Sequence, residues 1–213
     1  MRSIRVATAA VITSLMVVLG AIPISAQSAS PLVAAPTLVR YEDAVGDVEG
    51  GPGPDIVAVT VSQPDTASVS IGVEFASEPP ISYSTEDDPY WTDMLSVLIG
   101  TGAGGVAAGP GGGLRLDFGV GLHGATLPRH LDEGVDLHGG GDMLEGAVRV
   151  TVDGPTLTLT FTRESLGDPE RMMFIVVAER EIGNAEEGGG QDVCPENDGS
   201  EPFTQIAWTF EEE

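Results

Sequence analysis

Residues 56–76 read IVAVTVSQPDTASVSIGVEFA, two apolar runs around a turn. In the second run Val69, Ile71, Val73 and Phe75 alternate with Ser68, Ser70, Gly72 and Glu74. Successive side chains of a strand point to opposite faces, so this spacing predicts a strand with one buried and one wet face. The first run, residues 56–61, is β-branched and alternating and predicts a second strand. Gln63, Pro64, Asp65 and Thr66 between them carry turn chemistry, so the two strands are expected to form a hairpin.

The same pattern recurs outward from this hairpin. Residues 147–153, AVRVTVD, and 156–162, TLTLTFT, flank Asp153, Gly154 and Pro155 and predict a second hairpin. Further strands are predicted over 37–41, 94–99 (entered through Tyr90 and Trp91), 113–120, 171–178 and 205–210. Residues 163–167, RESLG, predict one helical turn ended by Gly167, with Pro169 just beyond. Between the strands the chain is rich in glycine: 16 of its 29 glycines fall in residues 100–146. There 102–113 is expected to be a flexible loop, and 123–141 loop-like with at most one irregular strand. Residues 182–200 read as an acidic, Gly-rich loop. Eight or nine short strands with no amphipathic helix of ordinary length predict an all-β fold, an antiparallel two-sheet β-sandwich of jelly-roll type.

The start of the chain has a different composition. Arg2 and Arg5 precede an uncharged apolar run over 6–22, and Ile24, Ser25 and Ala26 offer a small residue for cleavage. Residues 1–26 are therefore expected to be a secretory signal peptide, with an uncleaved anchor as the alternative. Residues 27–36 read as a flexible leader and 37–213 as one β-sandwich domain. That organisation implies a secreted, extracellular protein with no integral membrane span after cleavage.

The 33 acidic residues face 9 basic ones, all arginine, for a formal net charge of −24. Loss of Arg2 and Arg5 leaves 7 basic against 33 acidic residues, a net of −26. Such a surface repels nucleic acid and anionic membranes and suits solubility and divalent cations. A general acidic bias of the chain explains it equally well. The lone Cys194 excludes an intrachain disulfide and is expected to be a buried or half-buried small apolar residue, with an intermolecular disulfide as the alternative.

The chemistry-bearing stretch lies just before the first hairpin. Residues 41–55, YEDAVGDVEGGPGPD, set Asp43, Asp47, Glu49 and Asp55 in a turn-rich loop that runs into a strand. Calcium takes six to eight hard oxygen ligands, and a turning acidic loop supplies carboxylates and carbonyls together. The spacing is not that of an EF-hand. Asp43, Asp47 and Asp55 are candidate ligands, with Asx-turns in a solvated loop as the alternative. A second acidic loop carries Asp192, Glu196, Asp198 and Glu201, and Asp192 or Asp198 is the candidate to complete the site.

His123, His130 and His138 match no compact zinc spacing and are expected at the surface. Met172 and Met173 are expected to fill the core. Tyr90 and Trp91 are weak candidates for stacking on a sugar ring, with burial of Trp91 in the core as the alternative. No nucleophile elbow, HExxH motif or Cys/His pair is present, and nothing selects a catalytic carboxylate pair among so many acids.

Two phrases carry a family resemblance. The opening has Asp43, Gly46, Asp47, Gly50, Gly51, Pro52, Asp55 and Ile56, then Val59 and Val61. The close has Asp192, Pro195, Glu196, Asp198 and Gly199, then Trp208, Thr209 and Phe210, with VTVDGPTLTLTFTRESLGDP and FIVVA between. This order resembles secreted bacterial β-sandwich domains related to DOMON domains and to family 9 carbohydrate-binding modules, over residues 38–210. The resemblance implies a jelly-roll-like sandwich, a structural calcium near the opening loop and a non-catalytic or binding role. Residues 98–113, where similar domains have an acidic phrase, depart from it, which puts a ligand or metal in that loop in doubt.

The expectation is thus a non-enzymatic, monomeric domain with structural calcium and a carbohydrate or cell-envelope component as candidate partner. The alternatives are a haem-binding or other redox module of DOMON type, or an accessory domain of an extracellular hydrolase.

Overall fold

Alternation decides where the strands run in the computed structural model, which describes residues 38–85, 91–101, 106–107, 115–139, 142–183, 189–195 and 206–210. The expected signal peptide and leader lie outside these residues, as does most of the 102–113 tract. The first hairpin is β2 (Ile56–Asp65) with β3 (Ser68–Phe75), paired antiparallel with Val59 opposite Val73 and Val61 opposite Ile71. β2 outruns the expected turn: the register slips between Ser62 and Asp65, and Pro64 sits in that irregularity, where no ladder N–H is needed. The Asp65 carboxylate then accepts the Ala67 N–H and the Ser68 hydroxyl and closes the turn.

β1 (Leu38–Glu42) flanks β2. The second hairpin is β9 (Asp142–Asp153) with β10 (Thr156–Thr162), and Gly154 takes the positive φ of +56° that its turn requires. β4 (Trp91–Gly100) pairs along its length with β11 (Arg171–Ile182). β7 (Phe118–His123) and β8 (Val135–Gly139) join β4 to β9. β12 (Gln191–Cys194) and β13 (Ile206–Thr209) follow one another along the free flank of β11. The short strands β5 (Val106–Ala107) and β6 (Arg115–Leu116) pair separately. One 3-10 turn, Glu164–Leu166, ends at Gly167 with φ +80°, as the sequence predicts.

The fold is all-β and antiparallel. Its main sheet follows the path β1-β2-β3-β10-β9-β8-β7-β4-β11-β12, with β13 also on β11. The hydrogen-bonded path is continuous. A twisted sheet of this width can bury its apolar face only by curling on itself. Every large strand contributes to a single apolar interior, including Val61, Ile71, Leu159, Val150, Leu137, Leu122, Val97 and Val176, each 0–2 % exposed. The curl is wide enough that β12, at one end of the path, comes to lie against β2, near the other.

Three expectations are corrected. Thirteen strands are described, not eight or nine, because the long Gly-rich stretches hold short ones. β12 lies inside what reads as a loop; QDVC is only four residues long, too short to show a period. The region 123–141 holds α1 (Leu127–Glu133), with Pro128 in its first turn and Gly134 closing it. Its few apolar residues hide the helical period. Among the described residues no helix is long and apolar enough to cross a membrane.

Candidate metal centre

The curl brings the acidic loop between β1 and β2 against β12. The Asp43 N–H donates to the Val57 carbonyl and holds the start of the loop on β2. The Ala44 N–H donates to Asp43 Oδ1 (3.1 Å), and Gly46, at φ +82°, reverses the chain. The Gly46 N–H then reaches Asp55 Oδ2 at 2.9 Å, so the two ends of the loop are tied across it. Asp43 thereby lies near enough to Asp47 and Asp55 to feel their charges.

Backbone bonds clamp this loop to the far edge of the sheet. Glu49 and Gln191 exchange N–H···O bonds of 2.8 Å in both directions, and the Gly190 N–H donates to the Pro52 carbonyl. The approach is backbone on backbone: a Cβ on Gly190 would overlap the Gly51 carbonyl, and one on Gly53 would meet Gly190. Only glycine fits there. Asp192, 4 % exposed on β12, completes the junction, its Oδ2 accepting the Ile56 N–H at 2.6 Å.

One carboxylate oxygen each from Asp47, Asp55 and Asp192 lie within 4.8 Å of one another. Two oxygens bound to one calcium, at 2.3–2.6 Å each, can be no more than about 5 Å apart, so this spacing fits a shared ion. Asp43 stands beside them. Asp43 Oδ2, both oxygens of Asp47 and Asp55 Oδ1 are fully buried without a hydrogen-bond partner. No arginine among the described residues pairs with any of the four aspartates. Buried polar atoms are ordinarily satisfied, and buried charge ordinarily paired.

The electrostatics reflect this crowding. Burial, with Asp47 and Asp55 nearby, pushes Asp43 up to about 6, against the Ala44 N–H and the Cys194 thiol. Burial, with Asp43 and Asp47 nearby, pushes Asp192 up to about 7, against the Ile56 N–H. Shared protons relieve such repulsion one contact at a time, whereas one divalent cation takes several carboxylate oxygens at once. The donor set is all hard oxygen, which suits calcium better than zinc. Among the described residues this is the one grouping of His, Cys, Asp or Glu side chains with metal-binding spacing.

Cys194 lies directly behind the cluster, 1 % exposed, with its thiol against the Asp43 carboxylate. Burial first, then the Asp43, Asp192 and Asp47 charges, hold that thiol far above the ordinary cysteine range, so it is inert in the closed fold.

Of the candidate ligands, Asp43, Asp47, Asp55 and Asp192 come together; Asp198 lies outside the described residues. Tyr90 lies outside them too. Trp91 is half-buried, and the Arg180 guanidinium sits 3.9 Å from its ring centroid, covering one face. Arg180 also donates to both oxygens of Asp93, at 2.7 and 3.1 Å, while Asp93 accepts the Ser82 N–H and hydroxyl at 2.9 Å each. This satisfied pair, with Asp93 buried and Arg180 half-buried, fixes the ends of β4 and β11. Its only sequence signal is a charge on the inward parity of each strand, Asp93 with Leu95 and Val97, Arg180 with Val176 and Ala178. The histidines scatter: His123 is on β7, His138 on β8, and His130 on α1 contacts the Gly134 carbonyl.

No protein-family model, no curated protein and no solved structure matches the chain.

Proposed function

We propose that the chain is a secreted, non-catalytic β-sandwich domain whose aspartate cluster holds a structural calcium ion. Asp47, Asp55 and Asp192 supply the ligand oxygens, Asp43 stands as a further one, and the ion staples the first loop to β12. The observation that carries this is the set of four buried carboxylate oxygens without partners, facing one another with no arginine among them. With no disulfide to hold the fold, a metal at this junction takes that role. The curl of the sheet is read here as the two-layered, jelly-roll-like packing. Secretion rests on the signal-like pattern of residues 1–26.

Thermal unfolding with millimolar calcium against a chelator tests the metal. A ligand that binds the native state must raise its midpoint. An unchanged midpoint would refute the site. Asp47→Ala should abolish whatever shift the wild type shows. The class of partner, a carbohydrate or cell-envelope component, follows from the resemblance of the opening and closing phrases alone, and a glycan array tests it.

A further inference from the structure

We infer that the cation at the aspartate cluster is a latch on the seam of the curled sheet, and that its loss opens the seam and uncovers Cys194. This rests on the calcium site proposed above and adds what the site controls.

The topology supplies the first observation. The candidate ligands come from opposite ends of the strand path: Asp43, Asp47 and Asp55 from the loop joining β1 to β2, Asp192 from β12. A shared ion therefore bridges the two edges that the ladder itself leaves unjoined. The direct bonds across the junction are few. Among the described residues they are the Glu49–Gln191 pair, Gly190 N–H to Pro52, Ile56 N–H to Asp192, the Cys194 thiol to the Asp43 carboxylate, and a long 3.4 Å contact from the Tyr41 hydroxyl to the Ala207 carbonyl. By contrast β3 and β10, in the middle of the path, share a seven-residue ladder.

The second observation is what holds the edges apart without the ion. Three carboxyl groups converge there with Asp43 beside them, and like charges at this spacing in a partly desolvated site repel. With the cation the junction is attractive; without it the same residues push the loop from β12. The elements flanking the junction, β2 and β11, are each held on their other side by a long ladder to β3 and β4. Opening the seam therefore need not unfold the core.

The third observation is Cys194. It is on β12, two residues past Asp192, buried at the edge of the core with its thiol against Asp43 of the loop. It thus reports the state of the seam in the full chain with no engineered label.

Two measurements on the full chain test the latch beside a calorimetric calcium titration. The first is the rate at which Cys194 reacts with Ellman's reagent. The second is hydrogen exchange at Glu49, Gly190 and Gln191 against Ile71 and Leu159. In chelator the thiol and the three seam amides should react far faster than the β3 and β10 amides. At free calcium one hundred times Kd they should slow about 100-fold, because binding to the closed state alone suppresses opening by that factor. Asp192→Asn keeps an acceptor for the Ile56 N–H and removes a charge, so calcium should no longer slow its thiol.

Calcium that binds but leaves the thiol rate unchanged overturns the latch while sparing the site. The latch also fails if thiol and central amides react at one common rate in chelator, because Cys194 is then reached only through global unfolding. No calcium binding at all overturns both.

Discussion

Asp47→Asn should change the sign of its effect on stability with the cation. Both Asp47 oxygens are buried without a partner, so the substitution removes no hydrogen bond that the fold makes. In chelator it removes one charge from a cluster of four. Asp55 and Asp192 each place an oxygen within 4.8 Å of one from Asp47, and at that limit and an effective dielectric of about 20 each of these two pairs, fully ionised, repels by about 3.5 kcal/mol. Protons held by Asp43 and Asp192 reduce that, so a net gain of about 1–3 kcal/mol is expected at pH 8. For a domain of this size that is a rise of about 2–12 °C in the unfolding midpoint. With calcium at one hundred times the wild-type Kd, the wild type gains about 2.7 kcal/mol from binding and a variant that binds poorly forgoes it. The variant should therefore be more stable than wild type in chelator, and that advantage should shrink or reverse in calcium. Differential scanning calorimetry in both buffers reads the two differences. A variant that is destabilised in chelator, by as much as in calcium, would refute the reasoning: Asp47 would then be satisfied by contacts other than a cation.

Other consequences are separable. Asp43 and Asp192 hold protons up to about pH 6 and 7 in the native state, whereas unfolded carboxyls release theirs near pH 4. The native state binds more protons in that interval, so the calcium-free protein should lose stability as pH rises from about 4 to 7, and calcium affinity should rise over the same range. Denaturant unfolding at several pH values checks the sign. Gly190→Ala would drive a methyl into the Gly51 carbonyl and should weaken calcium binding by calorimetry as well as lower stability. Arg180→Ala leaves Asp93, 2 % exposed, with only its Ser82 bonds; breaking such a buried pair costs about 3 kcal/mol, a fall of roughly 6–12 °C, with calcium affinity little changed.

The hairpins were legible because alternation is a local property. Val69, Ile71, Val73 and Phe75 must share a face once the segment is extended, whatever the rest does. The Gly167 stop and the Gly154 turn were legible for the same reason, since a positive φ favours glycine wherever it occurs. β12 and α1 were not, because four and seven residues carry too little period to separate from loop. The aspartate cluster was legible only in part. Asp43, Asp47 and Asp55 are near neighbours in sequence, and the turn between them can be read. Asp192 depends on how far the sheet curls, a long-range outcome of packing. The Gly189–Gly190 step that lets β12 approach reads as loop composition until the Gly51 carbonyl is seen against it. The Asp93–Arg180 pair is hidden similarly: charges on inward parities are visible, but which strands become neighbours is not.

In the proposed function one cation joins the loop after β1 to β12. A crystal structure grown in calcium, with a terbium-soaked crystal for anomalous scattering, tests it most directly. A single ion is expected, with oxygens of Asp47, Asp55 and Asp192 at about 2.3–2.6 Å, ligands from both sides of the seam. An ion held by the loop alone, or no anomalous peak among these carboxylates, would contradict it.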